Sequence, residues 1–407
     1  MRPSPLHARL SRLTGLSLQT RLLRRALPAV VLSLTSVTSF AQVAPPNVLA
    51  RSWVIMDESD GQVLASANAD ARMEPASLTK LMTAYLTFRA LQSKKIALNQ
   101  TVLPSDAVRA VGSDQSRMFI SPNKPVTVQD LLYGLIVQSG NDAAIALAEL
   151  VGGSQAQFVE MMNAEAQWIG MPHTHYADVN GMPEPDHYST ANDLARLAAR
   201  LISEFPEYYP IFSVKTFTYD NIRQPNRNRL LWLDPTVDGL KTGHTQAAGY
   251  CLIASANRTE PGAAGATRRV ITVVMGDPSG ADRVRDSMKL LDFAYHAFTQ
   301  VRPWQPGQAV QTARVYEGTS LSVRVGVSGD LAATVPMGTG GKIVSRVTLS
   351  APLIAPLAAG QRVGSVALLD DGKVLAQAPL VALEAVPQAG LASRLWDSVL
   401  LRVGSKT

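Results

Sequence analysis

Cysteine is nearly missing from this 407-residue chain: Cys251 stands alone, so no intrachain disulfide can form. It lies in the apolar run from Gly249 to Ser255, where a small buried filler is the plain reading and a nucleophile is not. Acidic residues are missing from the first 41 positions, which instead carry Arg2, Arg9, Arg12, Arg21, Arg24 and Arg25. Lys plus Arg number 38 against 32 Asp plus Glu, and these six arginines account for the whole net charge of +6. The rest of the chain is balanced, which removes the support for a nucleic-acid-binding body. Long hydrophobic runs are missing too. The apolar stretch from Ala26 to Val37 is short and broken by Pro28, Ser33 and Thr35, a poor membrane span.

What the leader does contain is the plan of a secretory signal. A basic region ends at Arg25, an apolar stretch follows, and Ser39-Phe40-Ala41 puts small residues before a cut at Gln42. The remaining length suits two or three domains, and 46% hydrophobic residues supply a sizeable core.

Hydrophobic periodicity sets out those domains. Ser52 to Ala67 reads as two strands turned at Asp60-Gly61. Helical patterns run from Leu78 to about Ser93, Val128 to Val137, Ala143 to Val151, Gln155 to Ile169 and Asn192 to Glu204. Strands return at Lys215 to Tyr219, Thr236 to Thr242, Gly249 to Asn257 and Arg269 to Met275, before a helix from Ala281 to Thr299. Strands at both ends with helices between them predict an α+β domain, an antiparallel sheet with a helical insertion, over 42–300. Beyond it, alternating residues such as Val323, Val325 and Val327, and a hairpin pattern turned at Asp371-Gly372, predict a small all-β domain over 301–387. The tail, 388–407, reads as an amphipathic helix with Leu391, Leu395, Trp396, Val399 and Leu400 on one half. It suits attachment to a membrane interface, with Arg394, Arg402 and Lys406 near anionic lipid, or docking on its own domain.

Three short motifs carry the chemistry. Ser77-Leu78-Thr79-Lys80 opens a helix, where positions three apart share a face and a hydroxyl meets an amine. Serine is a poor nucleophile without a base, and lysine is a base only when burial or a nearby cation lowers its pKa. Ser121-Pro122-Asn123-Lys124 has the same spacing, but in a loop that guarantees no contact. Ser139-Gly140-Asn141 sits in a tight link between helices. Lys241-Thr242-Gly243 ends a strand, with Lys241 the expected cation and Gly243 expected to let a substrate backbone approach. Taken singly, Ser139 reads as a helix cap and Lys241 as a solvated strand end.

In this order the motifs resemble the signature of penicillin-recognising serine acyl-transferases. The wording is closer to low-molecular-mass D-alanyl-D-alanine carboxypeptidases. Ser77 to Thr83, Ser139 to Ala143, Asn226-Arg227-Asn228 with Leu230 to Trp232, and Val237 to Thr245 all look like that family. The resemblance implies an acyl-enzyme on Ser77 with Lys80 as general base, and Ser139 relaying a proton to the leaving D-alanine, held near Lys80 by Asn141. It implies an oxyanion hole from the backbone N–H groups of Ser77 and His244, and a substrate carboxylate bound by Thr242 and Arg227. Arg223 and Arg229 lie close enough in sequence to compete with Arg227. The implied partners are peptidoglycan stem peptides ending in D-Ala-D-Ala, β-lactam antibiotics and the outer face of the cytoplasmic membrane, with no cofactor. The implied location is the periplasm, peripherally attached to the inner membrane.

Other readings stand beside this one. A β-lactamase shares the motifs, but the E-x-x-L-N pattern of its class A deacylation is absent between Asn141 and Lys241. A non-catalytic peptidoglycan-binding scaffold keeps the fold. A metallopeptidase is prompted by His173, His175, Asp178, Asp186 and His187, although such clusters in polar loops are more often solvated.

Overall fold

The computed structural model describes residues 44–260 and 266–404. The predicted signal segment and its cut before Gln42 lie outside them, as does Lys406. A five-stranded antiparallel sheet runs in the order Val63–Ala67, Ser52–Asp57, Thr267–Asp277, Gly249–Thr259, Val237–Thr245. The first long strand therefore pairs with the last, as the split strand pattern predicts, and the helices between residues 80 and 204 form the insertion.

These strands look almost continuously apolar because both faces are covered. Val54, Met56, Ile253, Ile271 and Val273 point into a core shared with the inserted helices. Trp53, Ile55, Leu252, Val270 and Val274 point the other way, onto Leu290, Leu291 and Ala294 of the helix Gly280–Ala297. That helix ends two residues before its expected limit, because Phe298–Val301 is a strand paired with Ala333–Pro336.

A second sheet of six strands builds the C-terminal β domain around Val323, Val325, Val366 and Leu380. Its hairpin turns at Asp371 and Gly372, both at positive φ (46° and 81°), as a two-residue turn matched to strand twist requires. Thr334 Oγ1 of this domain donates to Asp57 Oδ2 at 2.7 Å, beside the fully buried Arg268. The final helix, Leu391–Gly404, rests its polar side on the same domain: Asp397 accepts from the Glu317 N–H at 2.6 Å, and Ser398 donates to Glu317 Oε1 at 3.0 Å. Its apolar side is bare, with Leu391, Leu395, Trp396 and Val399 between 53% and 76% exposed. Among the described residues no helix is long and apolar enough to cross a membrane.

Candidate active site

The nucleophile motif does not simply open an α-helix. Ala76–Thr79 forms a 3-10 turn and the α-helix begins at Lys80 and runs to Gln92. In the tighter turn, residues three apart eclipse, which aligns Ser77 with Lys80 better than the expected helix does. Lys80 Nζ donates to Ser77 Oγ at 2.9 Å and to the Asn180 carbonyl at 2.7 Å. Lys80 is buried, and loss of hydration lowers its pKa to about 7, with the Arg227 charge pushing the same way and Asp178 and Asp142 opposing. Ser121 is exposed in its loop, and Lys124 reaches away to Asp220 at 3.0 Å.

Ser139 reaches the cleft through a distorted helix. The predicted helix Val128 to Val137 is α-helical only to Tyr133; Gly134–Gln138 widens into a π turn, and Gly140 N donates back to the Gly134 carbonyl. Ser139 then sits at φ 66°, a left-handed conformation that costs a non-glycine residue energy and recurs at functional sites. Its Oγ accepts from Lys241 Nζ at 2.8 Å. Asn141 does not tie Ser139 to Lys80 as expected. Its amide donates to Gln115 Oε1 at 2.7 Å and to Met182 Sδ, on the rim of the cleft. Asp142 beside it accepts from the N–H groups of Met118, Phe119 and Ile120, fixing the segment that forms this wall.

The strand Val237–Thr245 carries Lys241 and Thr242, both buried, along the cleft. Burial lowers the Lys241 pKa well below its ordinary value, and the charges of Lys80, Arg227 and Arg283 lower it further. Burial lowers Lys80 as expected, but the cation that assists is Arg227 and not Lys241. Gly243 also has another reason to be glycine. A Cβ there meets the Pro75 carbonyl at 2.9 Å and the Ala76 side chain at 3.3 Å, so the missing side chain seats the strand against the nucleophile turn. Gly181 does the same from the opposite wall, at φ +88° with its Cβ position only 1.8 Å from the Ala76 carbonyl oxygen.

Arg227 is singled out by its neighbours. The amides of Asn226 and Asn228 are buried and bonded to the Val214 and Gly239 carbonyls, while Arg227 between them lines the cleft; Arg223 and Arg229 do not line it. Arg283 lines it as well and escaped the sequence reading. Its guanidinium donates to the Gly243 carbonyl at 3.1 Å and lies over the Tyr250 ring, on which the His244 ring stacks at 4.0 Å. One signal was there: Arg283 stands one turn after the cap Ser279, where the helix dipole disfavours a cation.

The cleft has a volume of about 420 Å³ and brings Ser77, Ser139, Asn141, Arg227, Thr242, Gly243 and His244 together. The Ser77–Lys80 pair shares a polar hollow with the Arg227 and Arg283 guanidiniums, an arrangement that suits acyl transfer on a substrate ending in a carboxylate. The His–Asp loop is spent on hydrogen bonds: His175 Nδ1 contacts the Asp186 carbonyl and His187 contacts Thr79.

Comparison with known proteins points the same way. Residues 39–279 match the D-alanyl-D-alanine carboxypeptidase peptidase family, and 298–388 match the C-terminal domain of penicillin-binding protein 5. The chain is 41% identical to the D-alanyl-D-alanine carboxypeptidase DacC of Escherichia coli, over 91% of this chain and 93% of that one. It is 40% identical to DacA of Haemophilus influenzae, over 89% and 91%. It is similar to the solved penicillin-binding protein 5 of Haemophilus influenzae, with a TM-score of 0.75 and 40% identity, covering 85% of this chain and all of that one.

Proposed function

The chain belongs to the D-alanyl-D-alanine carboxypeptidase family of penicillin-binding proteins, and from that membership we propose how its residues divide the reaction. It is a serine-type DD-carboxypeptidase of cell-wall peptidoglycan; the residue roles are our reading. Ser77 Oγ attacks the carbonyl between the last two D-alanines as its proton passes to neutral Lys80. The N–H groups of Ser77 and His244 take the developing oxyanion, worth about 3–4 kcal/mol per donor. Ser139, hydrogen-bonded to Lys241, relays that proton from Lys80 to the departing D-alanine amine, which returns Lys80 to its neutral form. Lys80 then takes a proton from the water that cleaves the ester. Thr242 and Arg227 bind the terminal carboxylate, with Lys241 and Arg283 adding positive potential, while Asn141 stands at the rim for the substrate's amide.

The observation that carries this reading is the 2.9 Å contact between Ser77 Oγ and a buried amine whose pKa lies at about 7. Incubation with a pentapeptide stem, followed by mass spectrometry, is expected to give the tetrapeptide and free D-alanine. A pentapeptide left intact by a protein that binds penicillin without turnover supports the scaffold instead, and rapid nitrocefin hydrolysis the β-lactamase.

Residues 1–41 act in this reading as an export signal, 42–300 as the catalytic domain, 301–387 as the β domain and 388–407 as an anchor to the outer face of the inner membrane. The bare apolar side of the last helix supports the anchor, since its polar side is already occupied by Glu317. The double substitution Leu395→Asp and Val399→Asp is expected to move the protein off anionic vesicles in a sedimentation assay, with pentapeptide turnover unchanged. High salt should release the unsubstituted protein only in part, because apolar burial is not screened. Equal sedimentation of the two proteins sinks the anchor.

A further inference from the structure

His187 is 2% exposed, lies outside the catalytic cleft and takes no part in the roles above. Its hydrogen bonds nevertheless join the two halves of the nucleophile site. Its Nδ1 accepts from the backbone N–H groups of Ala177 and Asp178, both at 3.3 Å. The ring proton is therefore on Nε2, which donates to Thr79 Oγ1 at 2.8 Å. Thr79 belongs to the turn that carries Ser77, and the Thr79 side chain has no other hydrogen bond among the described residues.

From Asp178 the chain makes a tight loop over Lys80. The Asp178 carboxylate accepts from the N–H groups of Asn180, Gly181 and Met182, which fixes the loop's shape. Asn180 offers its carbonyl to Lys80, Thr83 Oγ1 holds the Val179 carbonyl at 2.7 Å, and Gly181 packs against Ala76. The Thr83 bond and the Gly181 contact hold the middle of the loop; its start is held by His187.

We infer that His187 is a positioning residue for the reaction, clasping residues 177–182 to the nucleophile turn through Thr79 and so keeping the loop closed over Lys80. This rests on the reading of Lys80 as general base. Burial is the main cause of the depressed Lys80 pKa, so a loop that loosens and admits water lets the amine recover its proton at neutral pH. The charged groups facing Lys80 are Asp178, Arg227 and Asp142, with Lys241 nearby; those facing His187 are Asp178, His175 and Lys80 itself. Burial lowers the His187 pKa, against the pull of Asp178, and so favours the neutral ring that its two backbone N–H contacts require.

The test is the rate of acylation by a fluorescent penicillin, measured from about pH 5.5 to 9.5, for His187→Phe, Thr79→Val and the double variant. The unsubstituted protein is expected to lose rate as pH falls through about 7, where Lys80 becomes charged. Each single variant should shift that midpoint upward by about one unit while keeping the alkaline plateau within about threefold. The double variant should shift no further, because both changes break one bond. Lower rates at every pH with an unmoved midpoint would overturn the clasp and leave His187 a packing residue. If His187→Phe fails to fold, Thr79→Val breaks the same bond with a side chain of similar shape, and its midpoint decides alone. Absence of an acid limb in the unsubstituted protein would count against Lys80 as base, a separate failure.

Discussion

Ser77→Ala is expected to take up no fluorescent penicillin and to release no D-alanine from a pentapeptide, while Ser121→Ala should do both at the rate of the unsubstituted protein. The two serines share a spacing to lysine, so the pair is an internal control for geometry. Ser77 is half-buried on a 3-10 turn with a buried amine 2.9 Å away; Ser121 is exposed, and its lysine is paired with Asp220. Removing an activated nucleophile costs about 10⁴-fold or more in turnover, because no other group can take over the covalent step. Folding should be untouched. Lys80 keeps the Asn180 carbonyl as acceptor, so a melting temperature close to that of the unsubstituted protein is the accompanying result. Covalent label that persists on Ser77→Ala, located by peptide mapping at another serine, would reject the assignment.

Much of the fold is legible in the sequence. The split pattern of strands, with helices inserted between them, gave away the closing of the sheet, in which Ser52–Asp57 pairs with Thr267–Asp277 as well as with Val63–Ala67. The motifs were legible because their residue types follow from the chemistry. What escaped was set by tertiary contact. Nothing local in the run from Val128 to Val137 announces the π turn that rotates Ser139 into the cleft. Gly243 looked like room for a ligand because a sequence does not say which side of a strand is crowded; the crowding comes from Pro75 and Ala76, far away in the chain. Arg283 and Asn180 enter through a helix and a loop distant from every motif. His187 drew notice as a possible metal ligand, when the chemistry it performs is a hydrogen bond to a motif 108 residues earlier.

Substituting each lysine by arginine separates the two amines that meet in this cleft. Lys80→Arg keeps a positive charge but removes the only form that can accept a proton, since a guanidinium does not deprotonate at any accessible pH. Acylation should fall by about 10³-fold or more and should not recover in alkaline solution. Lys241→Arg is a different change. Lys241 donates to Ser139 Oγ at 2.8 Å and to the Thr242 carbonyl at 3.0 Å, both of which a guanidinium can still reach as a donor. Its cost is the extra bulk forced into a buried site, about 1–3 kcal/mol of stability, and the loss of rate should be smaller than in Lys80→Arg. The pH dependence tells the two apart again. Lys80 is neutral only above about 7, so the rate rises with pH through that value in the unsubstituted protein and should keep that rise in Lys241→Arg. Burial and the Arg227 charge lower the Lys80 pKa and Lys241 is not among its causes, so Lys241→Arg leaves the midpoint near its place. Equal losses from the two substitutions, or a rise that vanishes in Lys241→Arg, would move the general base from Lys80 to Lys241 acting through Ser139.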